Sequence, residues 1–473
     1  MASSGSSSVS QQAERIFTFP AMKTYNAEPA IRQTSHDGVV IAMPKPAVFT
    51  YTPLLQREDS SSSPSQVNQR VLVSSVANFS TAYNLAIIGS VLPLIEEKHP
   101  STDMRIVPLI SACCLVGAIV GQLIFGYIGD VMGRKKGMIL TLALSILGAT
   151  ASAFVPKNES IYLSLAICRF ILGIGVGGVY PLSAASAAEG GGSDAVLNNK
   201  RVAAVFSFQG WGQLASFLLS YMLLNTSLRH VWVWRILLGF GALPGLFVLN
   251  AAIQSEETGA FLKSQHDPNK MSLGESIRVY AKEFIGTSLG WFLFDITFYG
   301  NVIFTPVILD QLYQGEATTI VDIAQFSVFT SLIALPGYYM SYFMVGRLDF
   351  KQIQMQGFFV MALLFLIMGL FYDTLESLKM LLFIMYGLTF FFSNFGPNVS
   401  TFSLPAELFP SAHRVQLSGM SAAAGKLGAA VGAYWYGWIE ATSSVAMVLV
   451  ISGLVSALGL AVTSFFIPSK RYA

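Results

Sequence analysis

The stretch GQLIFGYIGDVMGRKKGMILTLAL, residues 121–144, contains the pattern that decides the fold: an apolar run, a short charged turn and a second apolar run. A helix needs about 20 predominantly apolar residues to cross a hydrocarbon core roughly 30 Å thick. The apolar segments on either side of Arg134, Lys135 and Lys136 extend far enough to meet this requirement. The stretch therefore predicts two membrane-spanning helices joined by a basic loop.

The same pattern recurs along the whole chain and predicts about twelve spans. Of the 473 residues, 53% are hydrophobic and only 11% are charged, whereas roughly 25% are charged in soluble globular proteins. The predicted spans cover approximately residues 70–95, 106–128, 137–155, 160–187, 203–224, 234–253, 284–309, 323–345, 354–372, 378–404, 416–438 and 442–467. The sequence thus predicts an all-α polytopic membrane protein.

A long polar stretch between the sixth and seventh spans divides the spans into two sets of six. We predict five regions: a disordered Ser-rich cytosolic tail at 1–69, a six-helix bundle at 70–253, a cytosolic linker at 254–283, a second six-helix bundle at 284–467 and a cytosolic tail at 468–473.

Lysine and arginine collect in the loops on one side of the predicted spans, and short cytoplasmic loops are enriched in these residues. The loop cations on that side are Arg134, Lys135, Lys136, Lys200, Arg201, Arg347, Lys351, Arg414, Lys470 and Arg471. We therefore expect both termini to lie in the cytosol. The plasma membrane is favoured over the vacuole or another endomembrane.

The composition also argues against several classes of protein. A net charge of +2 without a long basic run gives no electrostatic footprint for nucleic acid. The cysteines, Cys113, Cys114 and Cys168, all lie inside apolar runs, so neither a disulfide framework nor a zinc site is expected. No nucleophile elbow or phosphate-binding loop is found. We therefore expect a protein that is not an enzyme and has no metal or cofactor.

Three charges lie well inside the predicted spans, at Arg169, Asp295 and Lys426. An ionised group at the centre of a bilayer is costly and normally faces a partner or a water-filled cavity. Two cations and one carboxylate leave one excess positive charge, which favours a small anion, and lysine can act as a point charge for phosphate. Trp291, Asp295 and Tyr299 are spaced i, i+4 and i+8, so they share one helix face and can line a cavity together.

Each of these groups also has a purely structural interpretation. Asp295 and Lys426 would then form an ion pair that only holds two helices together. For Arg169, snorkelling to the surface or a structural pair explains the sequence as well as ligand contact does. Other polar side chains within the spans can either orient an oxyanion or satisfy neighbouring backbone groups. These are Tyr180, Gln209, Asn394 and Asn398.

The segment GYIGDVMGRKK, residues 126–136, closely resembles the loop between the second and third helices of the major facilitator superfamily. The resemblance implies a fold of two six-helix bundles. It also implies that Asp130 and Arg134 belong to a charged latch that joins the bundles on the cytosolic side. A second latch normally has an aspartate four residues before Arg347, but this sequence has Phe343 there.

Three further segments resemble the phosphate:proton symporters of fungi and plants: RFILGIGVGGVYPLSA from Arg169, WFLFDITFYG from Trp291, and NFGPNVSTFSLPAELFP from Asn394, which SGMSAAAGKLGA follows. The resemblance implies that the chain transports inorganic phosphate by alternating access. It implies a phosphate site halfway across the membrane, between the bundles. The implied site residues are Tyr180, Gln209, Trp291, Asp295, Tyr299, Asn394 and Lys426.

Three positions depart from that family in a way that affects ion coupling. Thr81, Asn84 and Val179 stand where the family typically has aspartates that move protons, which leaves Asp295 as the candidate proton carrier. The coupling ion therefore stays open between H⁺, Na⁺ and none. The substrate also stays open between phosphate and a related anion such as a glycerophosphodiester. A phosphate sensor without transport, signalling through the Ser-rich tail, is a further alternative.

Overall fold

The computed structural model describes residues 63–100, 106–156, 160–190, 192, 194–312 and 319–469. The predicted N-terminal tail lies outside the described residues up to position 62, as do Lys470 and Arg471 of the C-terminal tail.

Helices make up nearly all of the described chain. The first half contains α1 (Pro64–Ala86), α2 (Ile88–Glu96), α3 (Ile106–Val131), α4 (Arg134–Ala153), α5 (Ile161–Ala188), α6 (Ala195–Leu224), α7 (His230–Phe240) and α8 (Leu243–Gln254). Between the halves lie α9 (Gly259–Gln265) and α10 (Leu273–Val279). The second half contains α11 (Ala281–Leu312), α12 (Ile320–Met344), α13 (Phe350–Leu370), α14 (Tyr372–Ser377), α15 (Lys379–Ser393), α16 (Val399–Leu408), α17 (Arg414–Thr442) and α18 (Val445–Phe466).

Ten segments within the described residues are long and apolar enough to cross a membrane, which confirms the prediction of an all-α polytopic fold. Three of the ten combine two successive helices: α1 with α2, α7 with α8, and α15 with α16. Two other long helices complete the predicted set. They are α11, with 32 residues, and α17, with 29 residues, and each contains one of the buried charges discussed below.

Local sequence explains where the first span begins. Ser63 caps α1 by accepting a hydrogen bond from the backbone N–H of Gln66, and proline occupies the first helical position, where its fixed φ suits a helix start. The helix therefore begins at Pro64, before the predicted boundary at residue 69. The predicted linker at 254–283 is also partly helical, since it contains α9 and α10.

The two halves pack against each other as well as internally. Within the first half, α5 packs against α3 and α4; within the second, α11 packs against α17 and α13 against α18. Between the halves, α17 packs on α3 and α12 on α6. At the first of these contacts, a Cβ on Gly419 would lie 2.3 Å from the carbonyl oxygen of Gln122, so only glycine permits this approach.

The NFGPN segment breaks the tenth span between α15 and α16. Phe395 has a ψ of 52°, outside the helical range, and Pro397 follows without an N–H to donate. Gly396 permits a close crossing with α13, because its Cβ would lie 2.6 Å from the Cα of Gly357. The break sets the positions of Asn394 and Asn398, which contact each other at the centre of the molecule.

Candidate functional site: a buried charge pair between the two halves

Lys426 and Asp295 form a buried ion pair at the middle of their helices. The Lys426 Nζ lies 3.0 Å from Asp295 Oδ2 and donates to the Tyr299 hydroxyl at 2.9 Å. The two charged residues are 3% and 2% exposed. Asp295 and Tyr299 present these groups from one face of α11, as the i, i+4 spacing predicts. The ion pair that the sequence predicts is therefore present. Its presence also agrees with the alternative in which the pair only holds two helices together.

The first half contributes aromatic and amide groups to the same place. The ring of Tyr180 lies 5.7 Å from Lys426 Nζ and meets Trp291 edge-on at 6.4 Å. The Tyr180 hydroxyl donates to the Gln209 side-chain oxygen at 3.1 Å. Trp291 also lies close to the Asp295 carboxylate. Six of the seven predicted site residues thus form one continuous cluster that both halves supply.

Asn394 lies in an outer layer of this cluster. Its amide nitrogen donates to the Ala334 carbonyl at 3.0 Å, and its amide oxygen accepts from Asn398 at 2.7 Å. Asn398 also donates to the Tyr338 hydroxyl at 3.0 Å, and Tyr338 lies close to Gln209. Within the described residues, Asn394 is thus linked to the cluster through Asn398 and Tyr338. The sequence reasoning missed Tyr338, because one tyrosine in a span rich in aromatic residues gives no signal of its own.

A second cluster of charges lies at one end of the molecule, and we call it the latch. It consists of Asp130, Arg134, Glu189 and Arg414. Within the first half, Arg134 Nη1 lies 3.0 Å from Asp130 Oδ1. The same guanidinium makes two parallel hydrogen bonds to the Glu189 carboxylate, at 2.9 and 3.0 Å. Asp130 and Arg134 are therefore paired as the resemblance implies. Glu189, which directly follows α5, was not predicted.

The latch reaches across to the second half through the start of α17. Glu189 accepts a further hydrogen bond from Arg414 at 2.9 Å, and Arg134 donates to the Ser411 carbonyl at 2.6 Å. Asp130 accepts from the backbone N–H groups of Val415 and Gln416, at 3.3 and 2.8 Å. A carboxylate of one half thus caps a helix of the other half, where the helix dipole favours negative charge.

Electrostatics keep the Glu189 carboxylate charged in this position. Burial alone would raise the pKa of Glu189, but the guanidinium groups of Arg134 and Arg414 lower it below the ordinary value. The linker contributes as well, because the Thr258 hydroxyl donates to Glu189 at 2.6 Å. The latch therefore joins both halves and the linker around one ionised carboxylate.

The second latch position differs from the first. Phe343 is 62% exposed at the end of α12, so its side chain takes no part in joining the halves. A different pair connects them near this level: the Asn199 amide at the start of α6 donates to Glu407 of α16 at 2.9 Å.

Arg169 does not snorkel, so that interpretation of the sequence is wrong. Its side chain is fully buried, and the guanidinium donates from Nη1 to the backbone carbonyl of Asn84 at 3.1 Å. Nε and Nη2 make no hydrogen bond. Among the residues that the structure describes, no carboxylate pairs with this arginine, so the alternative of a structural ion pair finds no support either.

A comparison with known protein families identifies the family of this chain. The model of the major facilitator superfamily matches residues 74–433. The chain belongs to the major facilitator superfamily. A member of this superfamily with ten apolar spans among its described residues is a multi-pass membrane protein.

Several curated relatives within this superfamily have names that state a substrate. The "Inorganic phosphate transporter PT2" of Toxoplasma gondii is 31% identical over 84% of this chain and 72% of its own length. The "Putative inorganic phosphate transporter 1-13" of Oryza sativa subsp. japonica is 32% identical over 78% of this chain and 83% of its own length. These relatives are named as transporters rather than enzymes.

Solved structures of the superfamily show the same fold. A structure of the proton:xylose symporter XylE bound to 6-bromo-6-deoxy-D-glucose matches 86% of this chain and 97% of its own, with a TM-score of 0.72 and 17% identity. The fucose transporter FucP in the outward conformation matches 85% of this chain and 99% of its own, with a TM-score of 0.62 and 14% identity. At this level of identity the likeness concerns the fold alone.

Proposed function

We propose that this chain carries inorganic phosphate across a membrane by alternating access. The observation that carries the proposal is the buried Lys426, held by Asp295 and Tyr299 in a cluster built from both halves. The names of the curated relatives support phosphate as the substrate. Phosphate is favoured over a glycerophosphodiester for the same reason.

Competition for one ammonium group explains how this cluster binds and releases an anion. Without ligand, Asp295 and Tyr299 occupy two of the three donors of Lys426. A phosphate oxygen entering beside Lys426 competes with the Asp295 carboxylate for the same charge. Monovalent phosphate carries protons, so it can donate a hydrogen bond to Asp295 instead of repelling it. Trp291, Tyr180 and Gln209 supply further donors, while Asn394 supports the cluster from the outer layer.

The division of the cluster between two halves suits a rocking motion. Tyr180 and Gln209 belong to the first half, and Lys426 to the second, so a relative rotation of the halves changes access to the ligand without dismantling either part. We place the latch end in the cytosol, because the basic loops lie on that side. The closed latch then corresponds to a site shut off from the cytosol. Both termini would be cytosolic, and the plasma membrane is the favoured location.

Asp295 is our candidate for proton coupling. Among the described residues it is the carboxylate buried at the middle of a span; the other buried carboxylates, Asp130, Glu189 and Asp349, lie at helix ends. A carboxylate that alternates between Lys426 and a proton links the charge state of the site to phosphate occupancy. Phosphate symport with H⁺ follows from this exchange.

Uptake of labelled phosphate into proteoliposomes tests the proposal, under an imposed pH gradient, an imposed sodium gradient, or neither. Lys426→Ala should reduce uptake to the level of protein-free liposomes, because Lys426 is the one cation among the described residues that acts on Tyr180, Asp295 and Tyr299. Lys282→Ala is the matched control, since Lys282 is exposed at the start of the same helix as Asp295 and should transport normally. Asp295→Asn should retain phosphate binding but lose the response to the pH gradient.

Folding of the variants needs a separate check, because Lys426→Ala leaves a buried carboxylate unpaired at a cost of about 3–5 kcal/mol. The double variant Lys426→Met with Asp295→Leu removes both charges and avoids this cost. It should fold and still not bind phosphate. Normal uptake by either Lys426 variant would refute the site. Binding without uptake in the wild-type protein would indicate a phosphate sensor, and failure to bind phosphate would redirect the search to organic phosphates.

A further inference from the structure

Arg169 is a buried cation whose hydrogen-bonding capacity is mostly unused. A guanidinium has five N–H donors, yet within the described part of the chain the only hydrogen bond of this one runs from Nη1 to the Asn84 carbonyl. Nε and Nη2 are fully buried and find no partner among the same residues. Leaving a buried charge without a partner is among the most expensive arrangements in a folded protein. The guanidinium therefore requires a counter-charge that the described part of the chain does not supply.

The residues around Arg169 that the structure describes include polar groups but no carboxylate. The electrostatic neighbours of its guanidinium are Cys114, Tyr83 and Cys168, and the hydroxyl of Tyr83 donates to the Leu237 carbonyl. The described part of the chain thus leaves one cation without a counter-charge between α1 and α5.

This cation is separate from the central charge pair. Arg169 and Tyr180 are eleven residues apart on α5, so their Cα atoms are about 16 Å apart along the helix. Arg169 lies on the side away from the latch, because α5 runs from there toward Glu189. At Lys426 a carboxylate balances the charge, whereas at Arg169 no carboxylate of the described chain does. Lys426 therefore has a counter-charge within the protein, and Arg169 still needs one.

We propose that Arg169 forms a second anion site in the first half of the molecule, and that it takes a small inorganic anion such as chloride or dihydrogen phosphate. The bound anion neutralises the guanidinium and accepts the hydrogen bonds of Nε and Nη2. This inference holds whether or not the protein transports phosphate.

Thermal unfolding of the purified full-length protein tests this site. Wild-type protein is titrated with sodium chloride in a phosphate-free gluconate buffer of constant ionic strength, because gluconate is too large to replace a halide. We expect a saturating rise in the apparent melting temperature, since a ligand that binds only the folded state stabilises it. A parallel titration with phosphate in chloride-free gluconate uses Lys426→Met with Asp295→Leu, in which the central site is disabled, and shows whether phosphate can occupy the Arg169 site.

One variant and a control locate the effect. Arg169→Gln should weaken the response by roughly tenfold to a hundredfold, the worth of hydrogen bonds to a charged partner. Arg229→Gln removes an exposed arginine from the loop between α6 and α7 and should respond as the wild type does.

The outcomes separate this inference from the proposed function. No chloride response in the wild-type protein, or an unchanged response in Arg169→Gln, overturns the second anion site. A chloride response that Arg169→Gln weakens and Arg229→Gln retains supports it, even if phosphate uptake fails. A phosphate response of the double variant identifies the occupant as phosphate, and a response to chloride alone identifies a halide.

Discussion

Arg134 and Arg169 are both completely buried, at 1% and 0% exposure, but their partners differ sharply. Arg134 contacts the Asp130 and Glu189 carboxylates and the carbonyls of Gly129 and Ser411. Arg169 contacts one backbone carbonyl. A buried arginine whose donors are satisfied by the chain stabilises a conformation. A buried arginine with free donors is available to a ligand. Burial alone does not distinguish these two roles. The hydrogen-bonding and ion-pair partners of each guanidinium do distinguish them.

The charged groups of the latch are paired with one another, yet part of this pairing can be broken and formed again. Glu189 binds Arg134 from its own half and Arg414 from the other half, and Asp130 caps α17 across the same boundary. When the halves separate, Arg134 keeps both carboxylates of its own half. Only the contacts to the second half are broken. Opening therefore does not leave Arg134 unpaired.

Replacing each arginine in turn by an uncharged residue tests this difference most directly. Arg134→Gln should lower the free energy of unfolding by about 3–5 kcal/mol, because it leaves two buried carboxylates without their main partner. Arg169→Gln, in buffer that contains only gluconate, should be neutral or stabilising, because it removes an unpaired buried charge. The apparent melting temperatures of the purified variants provide the measurement. Equal losses for the two variants would mean that Arg169 has a charge partner within the chain.

The pH dependence of stability should also differ between the latch and Arg169, although by a smaller amount. The pKa of Glu189 lies below its ordinary value of 4.5, since the attraction of Arg134 and Arg414 outweighs the effect of burial. A carboxylate with a lowered pKa stabilises the folded state at pH values above its ordinary pKa, and this contribution is lost as the pH falls through the folded-state value. The difference in melting temperature between wild type and Glu189→Gln should therefore be constant from about pH 6 to 8 and shrink only below 4.5.

The matched comparison for that experiment is Arg169→Gln in the same buffers. No carboxylate of the described chain pairs with Arg169, so its difference from the wild type should not change over this acidic range. A difference that followed the same acidic curve as Glu189→Gln would show that a carboxylate acts on Arg169.

The sequence was sufficient for the all-α fold and for the central charge pair, for one physical reason. Charges are so costly in a bilayer that Asp295 and Lys426 stand out in apolar runs, and they meet at 3.0 Å. Glu189 could not be found in the same way. It follows α5 directly and precedes a run of glycines, where a carboxylate normally faces water. Only the folded chain shows it between two arginines.

Tyr338 and Asn394 illustrate the same limit inside the membrane. Both lie in spans, where polar groups can face either a ligand or a neighbouring backbone carbonyl. Asn394 was expected beside the anion, but its amide is held by Ala334 and Asn398. Tyr338 was not singled out, although it lies close to Gln209 and accepts a hydrogen bond from Asn398. Sequence spacing gives the helix face of a residue; it does not give the partner that its side chain finds.

The smallest expected effect concerns the position where the second latch is missing. Phe343→Asp restores an acidic residue four positions before Arg347, on a helix end where Phe343 is 62% exposed. An exposed i, i+4 ion pair contributes little, so we expect a change in the free energy of unfolding of about 0.5 kcal/mol or less. Phosphate uptake by proteoliposomes should stay near the wild-type rate, with Phe343→Asn as the uncharged control. A slowing of uptake by Phe343→Asp alone would mean that this end of α12 approaches a cation of the other half during transport. Closure of the transporter would then involve a second charged contact.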